Sequence, residues 1–492
     1  MALNPSQEAA VRNSGVQLVL AGPGSGKTRV ITEKVLHLLR EGVPASAILA
    51  LTFSDKAALE MLERLKEEKA PVADLTVSTF HSFCLSVLEE NVIDSGISFA
   101  SGVISRANQL VWGLKNIDAF GFGYIQVGNN GVDVIESIVE GISAFRDELI
   151  GPDELAAYCA AKRASALPPA EEEDVGKLAD LAKVYQAYEQ YKRAEKLIDF
   201  DDMIHETVRL FQRKPLVLDR YRSRYRYLLV DEFQDTNFAQ LQLVKQLANG
   251  NVCVVGDDDQ TIYRFRGAYL TNFRDFRQHF GAVEEVLLSH NYRNTGTILS
   301  LALQLMQKAP NRAEKALLTE NPPGDPVVAA RCENEQAEVE FVCGEIERLL
   351  STAFFSRREQ RERPYRYGDC AIVCRRRMEG VKFYKHLKQQ GVPAEFVGEM
   401  DFFAAPAIRD AIAYLTCIEN PLAAGIALNR ILKATGVSEV VVQKVNIRAK
   451  EIARREAGND GVYETLLGTG TPVPAAPELL DIRDTLRSLV EG

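Results

Sequence analysis

The feature that most constrains this chain is an eight-residue run, Ala-Gly-Pro-Gly-Ser-Gly-Lys-Thr, which follows an apolar segment and precedes apolar residues at helical spacing. Glycines let such a strand-to-helix turn curl until backbone N–H groups face one centre, and the helix N-terminus adds its dipole. The lysine supplies a cation and the threonine a hydroxyl ligand for Mg²⁺. The run therefore predicts a P-loop, although its first position is alanine rather than glycine. Its predicted phosphate-binding residues are Ala21, Gly22, Pro23, Gly24, Ser25, Gly26, Lys27 and Thr28.

Short apolar runs alternate with amphipathic segments along much of the chain. The runs are rich in Val, Ile and Leu without strict alternation, which is typical of parallel strands buried on both faces. Residues 105–200 and 405–492 have helical patterns instead, and we expect a Pro-interrupted acidic hinge at 167–174 and a loop at 468–477. This organisation predicts an α/β P-loop core with a parallel sheet and helical insertions. The predicted strands cover residues 16–20, 48–52, 75–78, 227–230, 252–255, 285–288, 327–331 and 371–374.

Composition excludes several other classes of protein. With 492 residues, 46% of them hydrophobic, the chain is not disordered throughout and has the length of roughly three domains. The sequence has no apolar run near the ~18–20 residues of a spanning helix and no signal-peptide pattern. Its eight scattered cysteines, without a CxxC pair, favour free thiols in a reducing cytoplasm over a zinc site. A net charge of −10 argues against a generally cationic nucleic-acid coat, but not against a local basic groove.

Two further apolar runs end in polar residues that suit nucleotide hydrolysis. Residues 227–230 lead into Asp231, which can hold Mg²⁺ through its water shell, and Glu232, which can deprotonate an attacking water. A water-activating base favours a hydrolase over a small-molecule kinase. Residues 252–255 lead into three aspartates and Gln260, whose amide can bond to the γ-phosphate or the attacking water. The spacing of these aspartates does not match the alternating pattern of an EF-hand calcium loop.

As a set, these and other ordered segments resemble the UvrD/Rep/PcrA-type superfamily-1 DNA helicases. Weaker similarity continues through residues 369–377 and 402–415, so the resemblance covers nearly the whole chain. The segments that carry it are LNPSQEAAV (3–11), AGPGSGKT (21–28), LTFSDKAALEM (51–61), STFHSF (78–83), DFDDM (199–203), LVDEFQDTN (229–237), VVGDDDQTIYRFRGA (254–268) and NYRNTGTIL (291–299).

The resemblance implies two RecA-like cores with ATP and Mg²⁺ in the cleft between them and a helical subdomain inserted into each. It also implies 3′ to 5′ movement along single-stranded DNA, unwinding of duplex at single/double-strand junctions, and a role in repair or replication. The implied boundaries are 1–104 with 199–284 for the first core, 105–198 for its insertion, 285–400 for a partial second core, and 401–492 for the start of a second insertion.

Four residues near the nucleotide are implied by the same resemblance. Gln7 matches a glutamine that reads the adenine edge, although residues 4–7 also fit a helix cap. Tyr292 matches an aromatic that stacks on adenine, and Arg29 a residue beside the base. Arg293 matches an arginine that reaches the γ-phosphate and stabilises charge during its transfer.

The resemblance also assigns a track for single-stranded DNA. Aromatic platforms alternating with cations suit sequence-independent binding, and Tyr263, Phe265 and Arg266 follow Gln260 directly. This adjacency suggests a route that couples nucleotide state to DNA grip. Phe265 stands where these helicases usually carry tryptophan, and placement in the core is an alternative for it and for Phe53. The other implied contacts are Phe53, Thr79 and His81, while Arg220, Arg222, Arg224 and Arg226 fit either a phosphate contact or a solvated edge.

One departure from the family pattern leaves two hypotheses open. The sequence has neither the returning motif with His and Gly-Leu-Glu nor the final motif with a second γ-phosphate arginine. The first hypothesis is an ATP-dependent DNA helicase represented by an incomplete chain. The second is an ATP- and DNA-binding chain without autonomous unwinding, for which a second polypeptide would supply the missing C-terminal half.

Overall fold

A six-stranded parallel sheet forms the centre of the first part of the chain. Its strand order is β3-β2-β4-β5-β1-β6, and every neighbouring pair runs parallel. The carboxyl ends of all six strands therefore lie along one edge, which positions the site described below. Each strand lies within about one residue of its predicted range. The strands are β1 (Val16–Ala21), β2 (Ile48–Thr52), β3 (Thr76–Thr79), β4 (Tyr227–Val230), β5 (Val252–Gly256) and β6 (Glu284–Leu288).

Helices cover both faces of this sheet. Successive side chains of β1 serve opposite faces, because Leu18 and Leu20 belong to one buried cluster and Val19 and Ala21 to the other. The first helices are α1 (Pro5–Arg12), α2 (Lys27–Arg40), α3 (Asp55–Glu67), α4 (Phe80–Glu90) and α5 (Val92–Ser95). The helices of the predicted insertion are α6 (Arg106–Asn116), α7 (Gly131–Asp147), α8 (Pro152–Arg163) and α9 (Pro169–Glu195). The helices that follow are α10 (Phe200–Arg213), α11 (Pro215–Arg224), α12 (Phe238–Leu247), α13 (Asn272–Phe280) and α14 (Gly296–Met306).

The acidic segment 167–174 was predicted as a hinge, and that prediction is wrong for its described part. Helix α9 begins at Pro169, directly after Pro168 at its N-cap, and Glu171 and Glu172 lie in its first turn. Proline is well tolerated at a helix start, and carboxylates there interact favourably with the helix dipole. Prolines and acids together start a helix at this position.

A buried group of charges joins the insertion to α10. Arg146 of α7 lies 2.7 Å from Asp199, and Lys192 of α9 lies 2.8 Å from Asp202. Burial opposes ionisation of Asp199, but Arg146 and Lys192 hold its pKa well below the usual range. Removing one partner from such a group would leave a buried charge uncompensated, which is strongly destabilising. The segment DFDDM therefore has a structural role in this fold.

The computed structural model describes residues 3–97, 102–127, 131–165, 168–261, 271–308, 315–356, 359, 361–397, 406–419, 421–453, 461–467 and 479–491. It divides into two units, Met1–Val327 and Val328–Gly492. The predicted loop at 468–477 lies outside the described residues. Among the described helices, none has the length and apolar character that a membrane span requires.

The second unit is mainly helical. Its short antiparallel hairpin of β7 and β8 was not predicted. Residues 327–331 and 371–374 were predicted as strands, and that prediction is wrong, because both segments are irregular and Val328 and Val373 are 80% and 92% exposed. The elements are α15 (Glu335–Leu350), β7 (Ala353–Ser356), β8 (Arg361–Pro364), α16 (Arg377–Gln389), α17 (Pro406–Glu419), α18 (Gly425–Ala434), α19 (Glu439–Ala453), α20 (Val462–Leu467) and α21 (Leu480–Glu491).

Candidate nucleotide site and DNA-contacting edge

The predicted P-loop connects the carboxyl end of β1 to the first turn of α2. Gly24 and Gly26 have φ angles of 63° and 88°, in the left-handed region that favours glycine. A Cβ atom on Gly24 would lie 2.6 Å from Cβ of Arg293, so a side chain does not fit there. The Ser25 hydroxyl donates to the Gly22 carbonyl at 2.8 Å and closes the turn. The local sequence thus folds into the tight turn that phosphate binding requires.

Lys27 and Glu232 meet directly at this edge of the sheet. Lys27 Nζ lies 2.5 Å from Glu232 Oε2, although 205 residues separate them in the sequence. The Glu232 backbone is left-handed, with a φ angle of 50°. Non-glycine residues in this conformation store strain, and such strain clusters at functional sites. The structure therefore brings together the predicted phosphate cation and the predicted base.

Thr28 and Asp231 are also neighbours and offer a position for Mg²⁺. A side-chain hydrogen bond joins them. Burial raises the pKa of Asp231 to about 6, and the adjacent Glu232 carboxylate adds to this effect. A buried carboxylate with so little compensating positive charge beside a hydroxyl oxygen suits a hard divalent cation. Thr28 and Asp231 would hold Mg²⁺ there.

Gln234, which sequence reasoning missed, connects the predicted base to the predicted sensor. Its Nε2 donates to Glu232 Oε2 at 2.7 Å, and its Oε1 accepts from the Asp257 N–H at 2.9 Å. Gln260 Nε2 in turn donates to Asp257 Oδ2 at 2.6 Å. A continuous hydrogen-bond chain therefore runs from Lys27 to Gln260. The segment DEFQDT contained this glutamine, but nothing in its spacing indicated the contact.

Lys315 is a second residue that sequence reasoning missed. Its buried Nζ lies 2.6 Å from Asp257 Oδ1 and 3.6 Å from Asp259, and it also contacts the Asp258 carboxylate. The three carboxylates are close enough together to surround a cation. In this structure the ammonium group of Lys315 lies among them.

Gln7 forms the helix cap that was one of its two interpretations. Asn4 and Gln7 make a reciprocal capping box at the start of α1. Gln7 Nε2 also donates to the Ser25 carbonyl at 2.9 Å, so its amide lies against the P-loop. Both ends of the amide are engaged within the chain, and its contact with adenine stays a prediction.

Tyr292 and Arg293 lie beside the P-loop. The Tyr292 N–H donates to the Gly24 carbonyl at 3.0 Å, and its hydroxyl accepts from Asn4 Nδ2 at 2.6 Å. Tyr292 is 46% exposed, so part of the residue is accessible to a base. Asn291 Nδ2 donates to the Pro23 carbonyl at 2.6 Å and holds the same segment in place. Arg29, in the first turn of α2, is half-buried.

Three of the predicted DNA contacts, Phe53, Thr79 and His81, lie in the described part of the chain, on the β3–β2 half of the same edge. Phe53 follows β2 and is 37% exposed, which disfavours its placement in the core. Thr79 ends β3 and caps α4, accepting from the Ser82 N–H at 3.2 Å. His81 lies edge-on to Phe200, with ring centroids 6.5 Å apart, and burial lowers the pKa of His81. Tyr263, Phe265 and Arg266 lie outside the described residues.

The alternating arginines before β4 make contacts within the chain. Arg222 Nε donates to the Gln246 carbonyl at 2.7 Å, Arg224 lies 3.5 Å from Glu90, and Arg220 donates to Asn91. These pairings support the interpretation as a solvated edge over a phosphate contact for these three residues.

Comparison with known proteins identifies the family of this chain. The model of the UvrD/REP helicase N-terminal domain matches residues 3–281, and that of the UvrD-like helicase C-terminal domain matches residues 286–454. The chain is 36% identical to ATP-dependent DNA helicase PcrA of Bacillus subtilis over 429 residues, which are 85% of this chain and 53% of the relative. It is 35% identical to ATP-dependent DNA helicase Rep of Escherichia coli over 427 residues, which are 86% of this chain and 59% of the relative.

A third relative gives the same coverage. ATP-dependent DNA helicase UvrD1 of Mycobacterium tuberculosis is 36% identical over 451 residues, which are 87% of this chain and 54% of the relative. The chain thus spans somewhat more than half the length of these relatives. Because the N-terminal domain model alone matches 279 of the 492 residues (281 − 3 + 1), the chain belongs to the UvrD/Rep helicase family.

Proposed function

We propose that this chain is an ATP-driven DNA helicase motor that moves 3′ to 5′ along single-stranded DNA and unwinds duplex at junctions. The observation that carries the proposal is the meeting of Lys27, Thr28, Asp231 and Glu232 at one edge of the sheet. These four groups supply what phosphoryl transfer to water requires: a phosphate cation, a Mg²⁺ position and a base. The names of the relatives, each an ATP-dependent DNA helicase, support DNA as the substrate and ATP as the nucleotide that is hydrolysed.

Hydrolysis in this site begins with binding of the β- and γ-phosphates by the P-loop N–H groups and Lys27. Lys27 must then exchange its contact with Glu232 for the phosphates, which frees the carboxylate to accept a proton from the attacking water. Thr28 and Asp231 would hold Mg²⁺, which would supply positive charge to the phosphate oxygens. Arg293 stabilises the charge that develops on the transferring group.

Coupling to DNA would follow from the position of Gln260. Gln260 is hydrogen-bonded to Asp257 at the end of β5, and Tyr263, Phe265 and Arg266 follow within six residues. A movement of the Gln260 side chain on loss of the γ-phosphate would shift the adjacent residues that are proposed to stack on DNA bases. Phe53, Thr79 and His81 would hold the strand on the neighbouring half of the edge.

Strand-displacement assays with tailed duplexes test the proposal. We expect ATP-dependent unwinding of a duplex with a 3′ single-stranded tail, and little unwinding of the same duplex with a 5′ tail. Unwinding only from the 5′ tail would contradict the direction. ATP hydrolysis without unwinding of either substrate would favour the alternative of an ATP- and DNA-binding chain that requires a second polypeptide, for which the comparisons give no support.

The biological setting is proposed on the same basis. A role in DNA repair or replication in the cytoplasm is supported by family membership and by the described cysteines, which lie outside disulfides. Deletion of the gene is expected to increase sensitivity to ultraviolet light or to slow replication forks. Growth and survival equal to the parent strain under both conditions would contradict such a role.

A further inference from the structure

Lys315 is a buried cation that the proposed hydrolysis steps do not use. Its side chain is fully buried against the equally buried carboxylate of Asp257, 2.6 Å away. Burial acts to lower the pKa of Lys315, but the carboxylates of Asp257 and Asp258 outweigh burial and raise it. The ammonium group therefore stays charged. A charge in such a position is costly unless it is paired, so each member of the pair depends on the other.

The two oxygens of Asp257 have different partners. Oδ1 accepts from Lys315, whereas Oδ2 accepts from Gln260 Nε2 at 2.6 Å. Because Asp257 is fully buried, its carboxylate cannot remain ionised at low cost without Lys315. The orientation of the Gln260 amide depends on that carboxylate. Lys315 thus acts on Gln260 through Asp257.

The segment that carries this lysine, residues 315–318, also contacts the P-loop and the segment of Arg293. A Cβ atom on Gly22 would lie 2.4 Å from Leu317 Cδ2, so Leu317 packs directly against the loop. The Asn291 N–H donates to the Leu318 carbonyl at 2.7 Å. One short segment therefore contacts the P-loop, the segment of Arg293 and Asp257, and Lys315 makes the contact with Asp257.

We propose that Lys315 is a positioning residue for recognition of the γ-phosphate. By keeping Asp257 ionised, it fixes Gln260 in the orientation that distinguishes a nucleoside triphosphate from a diphosphate. This inference rests on the proposed function in taking Gln260 to contact the γ-phosphate. Within the described residues, the hydrogen bonds and ion pairs of Lys315 and Asp257 join neither Lys27 nor the P-loop turn directly to this pair. We therefore expect the affinity for the diphosphate to change much less than the affinity for the triphosphate when Lys315 is replaced.

Calorimetric titration of the full chain with ATPγS and with ADP, each with Mg²⁺, tests the proposal. We expect Lys315→Met to reduce the preference for ATPγS over ADP by about tenfold, as for loss of a hydrogen bond to a charged group. The double variant Asp257→Asn/Lys315→Met removes both charges and should restore the preference to within about threefold of the original. Lys308→Met, at an exposed position, is the matched control and should change neither affinity.

Four results would overturn the proposal: an unchanged preference in Lys315→Met, an equal loss in the double variant, a loss in ADP affinity as large as that in ATPγS affinity, or no preference in the original chain. A lysine that merely packs would not be rescued by removal of the carboxylate charge. If Lys315→Met does not fold, Lys315→Arg and the double variant provide the test. The first keeps the positive charge and the second removes both charges, so the proposal predicts that each keeps the preference for ATPγS over ADP. The titrations measure binding and need no hydrolysis. Absence of DNA-stimulated hydrolysis would therefore contradict the proposed function but not the role of Lys315.

Discussion

The two halves of the sheet edge differ in how their side chains are held. On the β4-β5-β1 half, Asp231 and Asp257 are buried and Lys27 is half-buried, among charges and amides that already bond to one another. On the β3-β2 half, Phe53 is 37% exposed, and Phe200, whose ring lies edge-on to His81, is 60% exposed. Asp231 joins the halves, since its N–H donates to the Leu51 carbonyl of β2 at 2.9 Å.

This difference matches two kinds of chemistry. Charge transfer needs groups fixed before the reaction in a site with little water, so that each interaction is strong. Sequence-independent stacking needs aromatic faces that bases can reach and leave. We therefore expect large effects on turnover from changes in the first half and moderate effects on DNA affinity from changes in the second.

The largest expected effect concerns the base. Glu232→Gln keeps the size of the side chain but removes the proton acceptor, so ATP turnover should fall by about 10²–10⁴-fold. Nucleotide binding should persist, since Lys27 remains in place. Steady-state ATPase assays and nucleotide titrations measure the two. The control is Glu60→Gln, whose side chain is 52% exposed, and turnover within threefold of the original in Glu232→Gln would remove this residue from the mechanism.

Asp231 offers a second test within the same half. The pKa of Asp231 in the folded protein, about 6, lies above the ordinary 3.8. Ionisation of Asp231 therefore lowers the free energy of unfolding fully above pH 6, and the effect disappears below about pH 4. Asp231→Asn should thus stabilise the metal-free protein by about 3 kcal/mol at pH 8, and by less at pH 5, while abolishing turnover.

Urea denaturation at the two pH values measures this stability difference. Asp74→Asn, at an exposed position, is the control and should change the free energy of unfolding by less than about 0.5 kcal/mol. Destabilisation by Asp231→Asn at pH 8 would show that the Asp231 carboxylate is better compensated than its burial indicates.

The DNA track should respond less strongly. Phe265→Ala should weaken binding of single-stranded DNA by about 1–3 kcal/mol through loss of one stacking platform. Fluorescence anisotropy with a labelled oligonucleotide measures the affinity, and Phe265→Trp should preserve it or increase it. An unchanged affinity in the alanine variant would remove Phe265 from the path.

The smallest effect is expected at Phe53, because its ring is already partly buried. Phe53→Ala should weaken DNA binding by about 1 kcal/mol. ATP turnover without DNA should stay the same, since this residue lies on the other half of the edge. A fall in DNA-free turnover comparable to that of Glu232→Gln would contradict the separation of the two halves.

The sheet and the meeting of Lys27, Asp231 and Glu232 at its edge could be predicted from sequence because local pattern and tertiary structure agree there. Strands β1 to β6 are apolar runs that pair with one another, and their polar ends meet at one edge. Residues 327–331 and 371–374 have the same apolar pattern but no strand beside them in the described structure, and a strand needs backbone partners. The hairpin of β7 and β8 was missed because Arg361–Pro364 is rich in charge.

Contacts between distant segments were not predictable in the same way. Lys315 belongs to no motif in the sequence, and only the fold brings it to Asp257, 58 residues earlier. Gln234 lay inside a recognised segment, yet its two partners depend on how β4 and β5 end side by side. Gln7 is the opposite case: its helix cap involves only neighbouring residues, so residues 4–7 of the sequence were enough to predict it.

The central claim, that one chain couples the two halves of this edge, is tested most directly by ATP turnover of the 492-residue chain with and without single-stranded DNA. Our account predicts turnover that rises at least about tenfold with DNA and disappears in Lys27→Ala. Equal turnover with and without DNA, or turnover that survives Lys27→Ala, would contradict it.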